Sequence, residues 1–261
     1  MRDVTEPLPS LRDEAAAAAE PPRRPLLIEE LVVVLSLSLL PSAVDALLTL
    51  FEAPVSRSVA VALYPSVELA RQLSGIVFAV APVALVFHLI RRNRESLNEF
   101  GLAVDTVVRD VPFGLLIALV VSAVGLGLYL SAIALNINRF VVPVPPLGHW
   151  WTIPVLLLGS FQNGLLEEVI VVGYLIRRLE QLGWAGPAAL AASALLRGSY
   201  HLYQGWGGFL GNLLLGLFFG WIFLRRRRVW PLVTAHFAVD SLAGIGYILF
   251  KGHCVWRLCI R

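Results

Sequence analysis

The chain has 261 residues, 57% hydrophobic and 15% charged, with a mean hydropathy of +0.76 and a formal charge of +3. That much apolar surface excludes an ordinary soluble enzyme fold and predicts a polytopic membrane protein. The arginines stand in short clusters beside apolar blocks and form no contiguous basic face, which argues against nucleic acid as a partner.

Residues 1–25 are rich in Ala, Pro, Glu and Arg, lack apolar periodicity and predict a disordered cytosolic tail. Its acidic residues, and the length of the apolar stretch that follows, do not suit a signal peptide. Apolar blocks run over 26–50, 72–90, 111–135, 150–176, 185–203, 207–224 and 229–250. Each is long enough to cross ~30 Å of hydrocarbon at about 1.5 Å per residue. The fold expected is therefore an all-α transmembrane bundle of seven spans, or eight helical pieces if the long fourth block breaks at Gly159 or Gly164. The tail at 1–25 is followed by N-terminal transmembrane helices at 26–150, a core at 151–250 that carries the site, and a short C-terminal tail at 251–261.

Arg23-Arg24, Arg91-Arg92-Arg94, Arg177-Arg178 and Arg225 to Arg228 fall at every second boundary, so all land on one side. This predicts a multi-pass protein of the cell membrane with its N-terminus in the cytosol, Lys251, Arg257 and Arg261 being a mild exception. Residues 136–148, with three prolines, read as a non-helical outer loop, and 92–110 as a polar inner loop with an interfacial helix. Gly207 with Gly211, and Gly216 with Gly220, have the spacing of close helix crossings. Cys254 and Cys259 are too few for a four-thiol zinc site and say little about chemistry, pairing with each other in an oxidising compartment and free thiols being both open.

Charges at membrane depth cost several kcal/mol on most scales, so each needs a partner or a purpose. Seven polar residues inside the predicted spans stand out: Asp45, Glu167, Glu168, Arg197, His201, His236 and Asp240. All but Asp45 lie in the C-terminal half. Glu167 and Glu168 are adjacent, about 100° apart on a helix, so one is expected to work chemically and the other structurally. His236 and Asp240 are four apart and share a face, as do Arg197 and His201. His88, His149 and His253 lie at span ends, where an interfacial role is expected.

These residues resemble the CPBP family of membrane proteases, also called the Abi family, which includes the eukaryotic CAAX prenyl endopeptidase Rce. The resemblance covers roughly residues 150–245. The family's glutamate pair followed by three residues and Arg-Gly is similar to Glu167 through Gly173, its Phe-x-x-x-His to Arg197 through His201, and its His-x-x-x-Asn/Asp to His236 through Asp240. Val172 stands where the family has arginine, and Arg197 where it has phenylalanine. Since the family's arginine supports the glutamate pair, Arg197 is expected to supply Glu168 with its cation from another helix.

The resemblance implies an endopeptidase in which Glu167 is general base on a water shared with His201, while His236 and Asp240 orient donors toward the oxyanion. By helix rise Glu167 lies ~15 Å from Arg177, His236 about 10 Å and His201 ~20 Å from the starts of their spans, so the cavity is expected to open to the cytosol. No cofactor is expected. The rival chemistry is zinc held by His201, His236 and Glu167, although His-Glu-x-x-His is absent. A serine nucleophile, Ser193 or Ser199, would leave the glutamates unexplained. The partners expected are a peptide or protein substrate and the lipid bilayer. The alternative outside enzymology is a catalytically degenerate scaffold or a small transporter.

Overall fold

The structure, a computed structural model, describes residues 24–49, 65–135, 137 and 147–251, and the backbone of 254–255 and 258–259. Most of the expected tail, the prolines of the outer loop and His253 lie outside the described residues. The helices are α1 (Arg24–Ser38), α2 (Leu40–Thr49), α3 (Pro65–Arg92), α4 (Val107–Ala134), α5 (Thr152–Glu167), α6 (Leu175–Gln181), α7 (Gly186–Ser199), α8 (Trp206–Arg226) and α9 (Trp230–Phe250). A π-helical segment, Glu168–Tyr174, joins α5 to α6 without interruption. A two-residue antiparallel ladder sets Cys254 opposite Cys259.

Every predicted block coincides with helix, and the seven or eight spans expected are slightly more than the described residues show but compatible with them. Among the described residues five helical stretches are individually long and apolar enough to cross a membrane, and α1 with α2, bent by 50°, makes a sixth. The bend sits just before Pro41, which cannot donate a helical hydrogen bond and suits the first turn of a new helix. The block 185–203 contracts to the 14-residue α7, which at about 1.5 Å per residue reaches only ~21 Å. Beyond Ser199 the chain turns through a short 3-10 segment, Leu202–Gln204, to Gly205, whose φ of 93° favours glycine. Hydropathy does not register this stop, because Leu202 and Tyr203 continue the apolar run.

The fourth block does not break at either glycine. It is helical from Thr152 to Gln181, and its irregularity is the π-segment that begins at Glu168. The inner loop contains two 3-10 turns, Leu97–Phe100 and Val104–Thr106, in place of an interfacial helix. That loop is fastened to the turn between α8 and α9, where the Val229 amide donates to the Gly101 carbonyl at 2.9 Å.

α9 packs against α4 and α5, and α7 against α8. The π-segment is the most enclosed part of the chain, with Val169, Ile170, Val171, Val172 and Tyr174 all at 0% exposure. Outward faces are as apolar as the core: Phe78 is 74% exposed and Leu119 68%. An apolar exterior of this extent is stable facing hydrocarbon and not facing water.

Candidate functional site

Two close approaches between helices bring the site together. Gly164 on α5 faces α9, and a Cβ there would meet the Phe237 amide nitrogen and Val233 carbonyl at 3.2 Å and His236 Cβ at 3.4 Å. The missing side chain at Gly164 lets α9 approach closely here and brings His236 near the glutamate pair one turn further along. Gly216 on α8 does the same for α7, since a Cβ would lie 3.0 Å from Ala194 Cα and 3.2 Å from the Arg197 side chain. Gly220 is also closely packed, against Leu190, whereas Gly211 faces open space; the 216/220 pair is a helix crossing and Gly211 is not part of one.

Arg197 stands at the centre. It is 1% exposed, and its guanidinium lies 5.3 Å from the centre of the Phe219 ring. Nη1 donates to Glu168 Oε1 at 2.8 Å, and Nη2 lies 3.4 Å from Glu167 Oε2 and 3.2 Å from His236 Nδ1. Glu168 therefore takes its cation from α7, while Val172, at the position of the family's arginine, is part of the apolar core.

The two glutamates have different surroundings. Glu168 is 0% exposed, and its Oε1 faces both Arg197 and His236 Nδ1, the latter at 2.8 Å. Two lone pairs cannot face each other at that distance, so a proton lies between Nδ1 and Oε1. The second oxygen of Glu168 is buried and, among the described residues, has no hydrogen-bond partner. Glu167 keeps 12% of its side chain accessible and accepts a hydrogen bond from Tyr200 Oη at 2.8 Å.

His236 Nε2 lies 3.4 Å from Asp240 Oδ2, one turn along α9, too long for a strong hydrogen bond. His201 follows the end of α7. Its Nδ1 is 3.0 Å from the Arg197 carbonyl, one of the carbonyls left open where the helix stops. A carbonyl oxygen only accepts, so Nδ1 carries a proton, and the neutral form of His201 presents the lone pair of Nε2. Among the described residues no hydrogen bond or ion pair joins His201 directly to either glutamate. Arg197 thus touches Glu167, Glu168 and His236 with its side chain and His201 with its carbonyl, and Asp240 is one contact further.

The zinc set His201, His236 and Glu167 is not the cluster that forms. Among the described residues the group with ligand atoms within 4.8 Å of one another is Glu167, Glu168 and His236. Arg197 points a nitrogen at each of those three residues, so a divalent ion bound to them would sit beside a buried guanidinium and displace its hydrogen bonds. This donor set does not fit a metal while Arg197 occupies it.

Ser193 and Ser199 each donate to a backbone carbonyl at 2.7 Å, Ser193 to Val171 in the π-segment and Ser199 to Leu196. Neither is arranged as a nucleophile. Asp45 lies on α2, which packs against α7 and the Leu202–Gln204 turn, but no motif of the resemblance includes it. The residue that the motifs do not reveal is Tyr200, whose signal in the sequence is a hydroxyl at membrane depth that needs a polar partner.

No curated protein and no solved structure matches the chain. Residues 149–242, the stretch that holds both glutamates, Arg197, both histidines and Asp240, match the family model of the type II CAAX prenyl endopeptidase, Rce1-like, and are similar to that family of membrane endopeptidases.

Proposed function

We propose that the protein is an integral membrane endopeptidase that hydrolyses a peptide bond near the membrane with a glutamate-activated water. The observation that carries this is the asymmetry of the glutamates: Glu168 is fully buried against Arg197 at 2.8 Å, while Glu167 stands further from it at 3.4 Å and keeps 12% of its side chain accessible. The family likeness of residues 149–242 supports the reaction class.

In this mechanism the water donates one hydrogen bond to Glu167 and another to the lone pair of His201 Nε2, which leaves its own lone pair for the substrate carbonyl carbon. Glu167 takes the proton as the C–O bond forms and returns it to the leaving amine as the C–N bond breaks. As Glu167 takes up the proton it no longer needs the Tyr200 hydroxyl, which is then released to donate to the developing oxyanion, while His236 stays held between Glu168 and Asp240. Arg197 holds the pair in register and neutralises Glu168. The cation is supplied by the protein, so the chemistry does not call for zinc.

The test is cleavage of a membrane-peptide library by the purified chain. Wild type is expected to cleave with and without chelator, and Glu167→Gln and His201→Ala are expected to lose at least about 100-fold. Loss of wild-type activity on chelation with recovery on zinc would contradict the mechanism. Cleavage that survives in both variants would favour a site elsewhere, and absence of wild-type cleavage together with an unaltered cellular phenotype in both variants would favour a degenerate scaffold.

A further inference from the structure

Four consecutive arginines end α8, and they divide into two pairs. Arg227 bonds to Glu180 at 2.6 and 2.7 Å, and Arg228 pairs with Asp110 at 2.8 Å. Arg225 and Arg226 are exposed, and among the described residues neither has an ion pair. Each lies instead over an aromatic ring, Arg225 5.8 Å from the centre of Trp221 and Arg226 4.2 Å from that of Phe113.

Those rings belong to the walls of an open groove of about 270 Å³ between α4 and α8, on the outer surface of the bundle. Leu116 from α4 and Phe218 from α8 continue the walls away from the arginines. The groove is apolar along its length and cationic at one end, the end that shares a membrane face with the other arginine clusters. Leu116 is 57% exposed and Trp221 50%, so the walls face whatever surrounds the helices.

We infer that this groove binds an anionic phospholipid, its phosphate between Arg225 and Arg226 and one acyl chain against Leu116, Phe218 and Trp221. Charge complementarity selects the head group, because two unpaired cations at the membrane surface attract a phosphate that is already at that depth. The aromatic walls hold both guanidinium groups at the mouth while leaving their N–H donors free. The inference concerns a surface apart from Glu167 and does not depend on the proposed reaction.

The experiment is thermal unfolding of the full chain in neutral detergent during titration with phosphatidylglycerol, with phosphatidylcholine of the same chains, and with glycerol phosphate. Phosphatidylglycerol is expected to raise Tm saturably, and the other two are expected to leave it unchanged. R225Q/R226Q should bind phosphatidylglycerol about thirtyfold more weakly. Leu116→Trp, which fills the groove and keeps both charges, should weaken binding at least about tenfold, since about 1.4 kcal/mol of lost chain contact suffices. R24Q/R91Q removes the same charge from exposed positions outside the groove and should bind like wild type. Equal protection by phosphatidylcholine or by glycerol phosphate overturns the inference. So does wild-type binding by Leu116→Trp, or equal weakening in R24Q/R91Q, either of which reduces the site to diffuse surface charge.

Discussion

A single arginine in an apolar helix explains how this chain dispenses with the one that the resemblance leads one to expect. Arg197 reaches Glu168 from α7, and Val172 is free to be core. Arg197→Met leaves the fully buried Glu168 without its cation and should cost about 3–5 kcal/mol, read as a lower midpoint in denaturant. Arg197→Phe combined with Val172→Arg returns both positions to the family's residues, and the double variant should be more stable than Arg197→Phe alone. The glutamates, histidines and Asp240 were legible because a charge at membrane depth has few innocent explanations. The pairing was legible only as complementary charge, and Tyr200 was not legible, because aromatic residues are common in such segments for packing alone.

At the scale of elements, glycines and one serine set the geometry. Gly216→Leu drives a side chain into Arg197 and Ala194 and should lower both Tm and any cleavage, whereas Gly211→Ala, facing open space, should leave both unchanged. The π-segment changes the phase of the helix immediately after Glu167 and loosens its carbonyls, one of which, from Val171, is taken up by Ser193. Ser193→Ala should therefore destabilise by about 1–3 kcal/mol, measured by denaturant titration, as a buried carbonyl loses its donor. Helix positions could be read from apolar block length, although α3 begins at Pro65, ahead of its block, and α7 ends at Ser199, short of its own. The π-segment and the early stop of α7 could not, since hydropathy encodes neither a hydrogen bond between helices nor the backbone freedom of Gly205.

On the scale of the whole molecule, an apolar exterior surrounds a polar centre and is closed on one membrane face by a second buried ion network. Arg178, 0% exposed, pairs with Glu30 at 3.1 Å and Glu95 at 2.7 Å, and Tyr174 donates to Glu30 at 3.3 Å. The sequence treats Arg178 as a topology signal beside Arg177, yet it ties α6 to α1 and the inner loop. Arg178→Met should lower Tm well beyond Arg177→Met, whose side chain is 28% exposed. The account as a whole turns on two adjacent glutamates with separate duties. The measurement that tests this most directly is peptide cleavage and thermal stability in parallel for Glu167→Gln and Glu168→Gln. The account predicts that Glu167→Gln keeps Tm within a few degrees and abolishes cleavage, while Glu168→Gln lowers Tm markedly. A stable Glu168→Gln protein, or one that still cleaves with Gln at position 167, would contradict it.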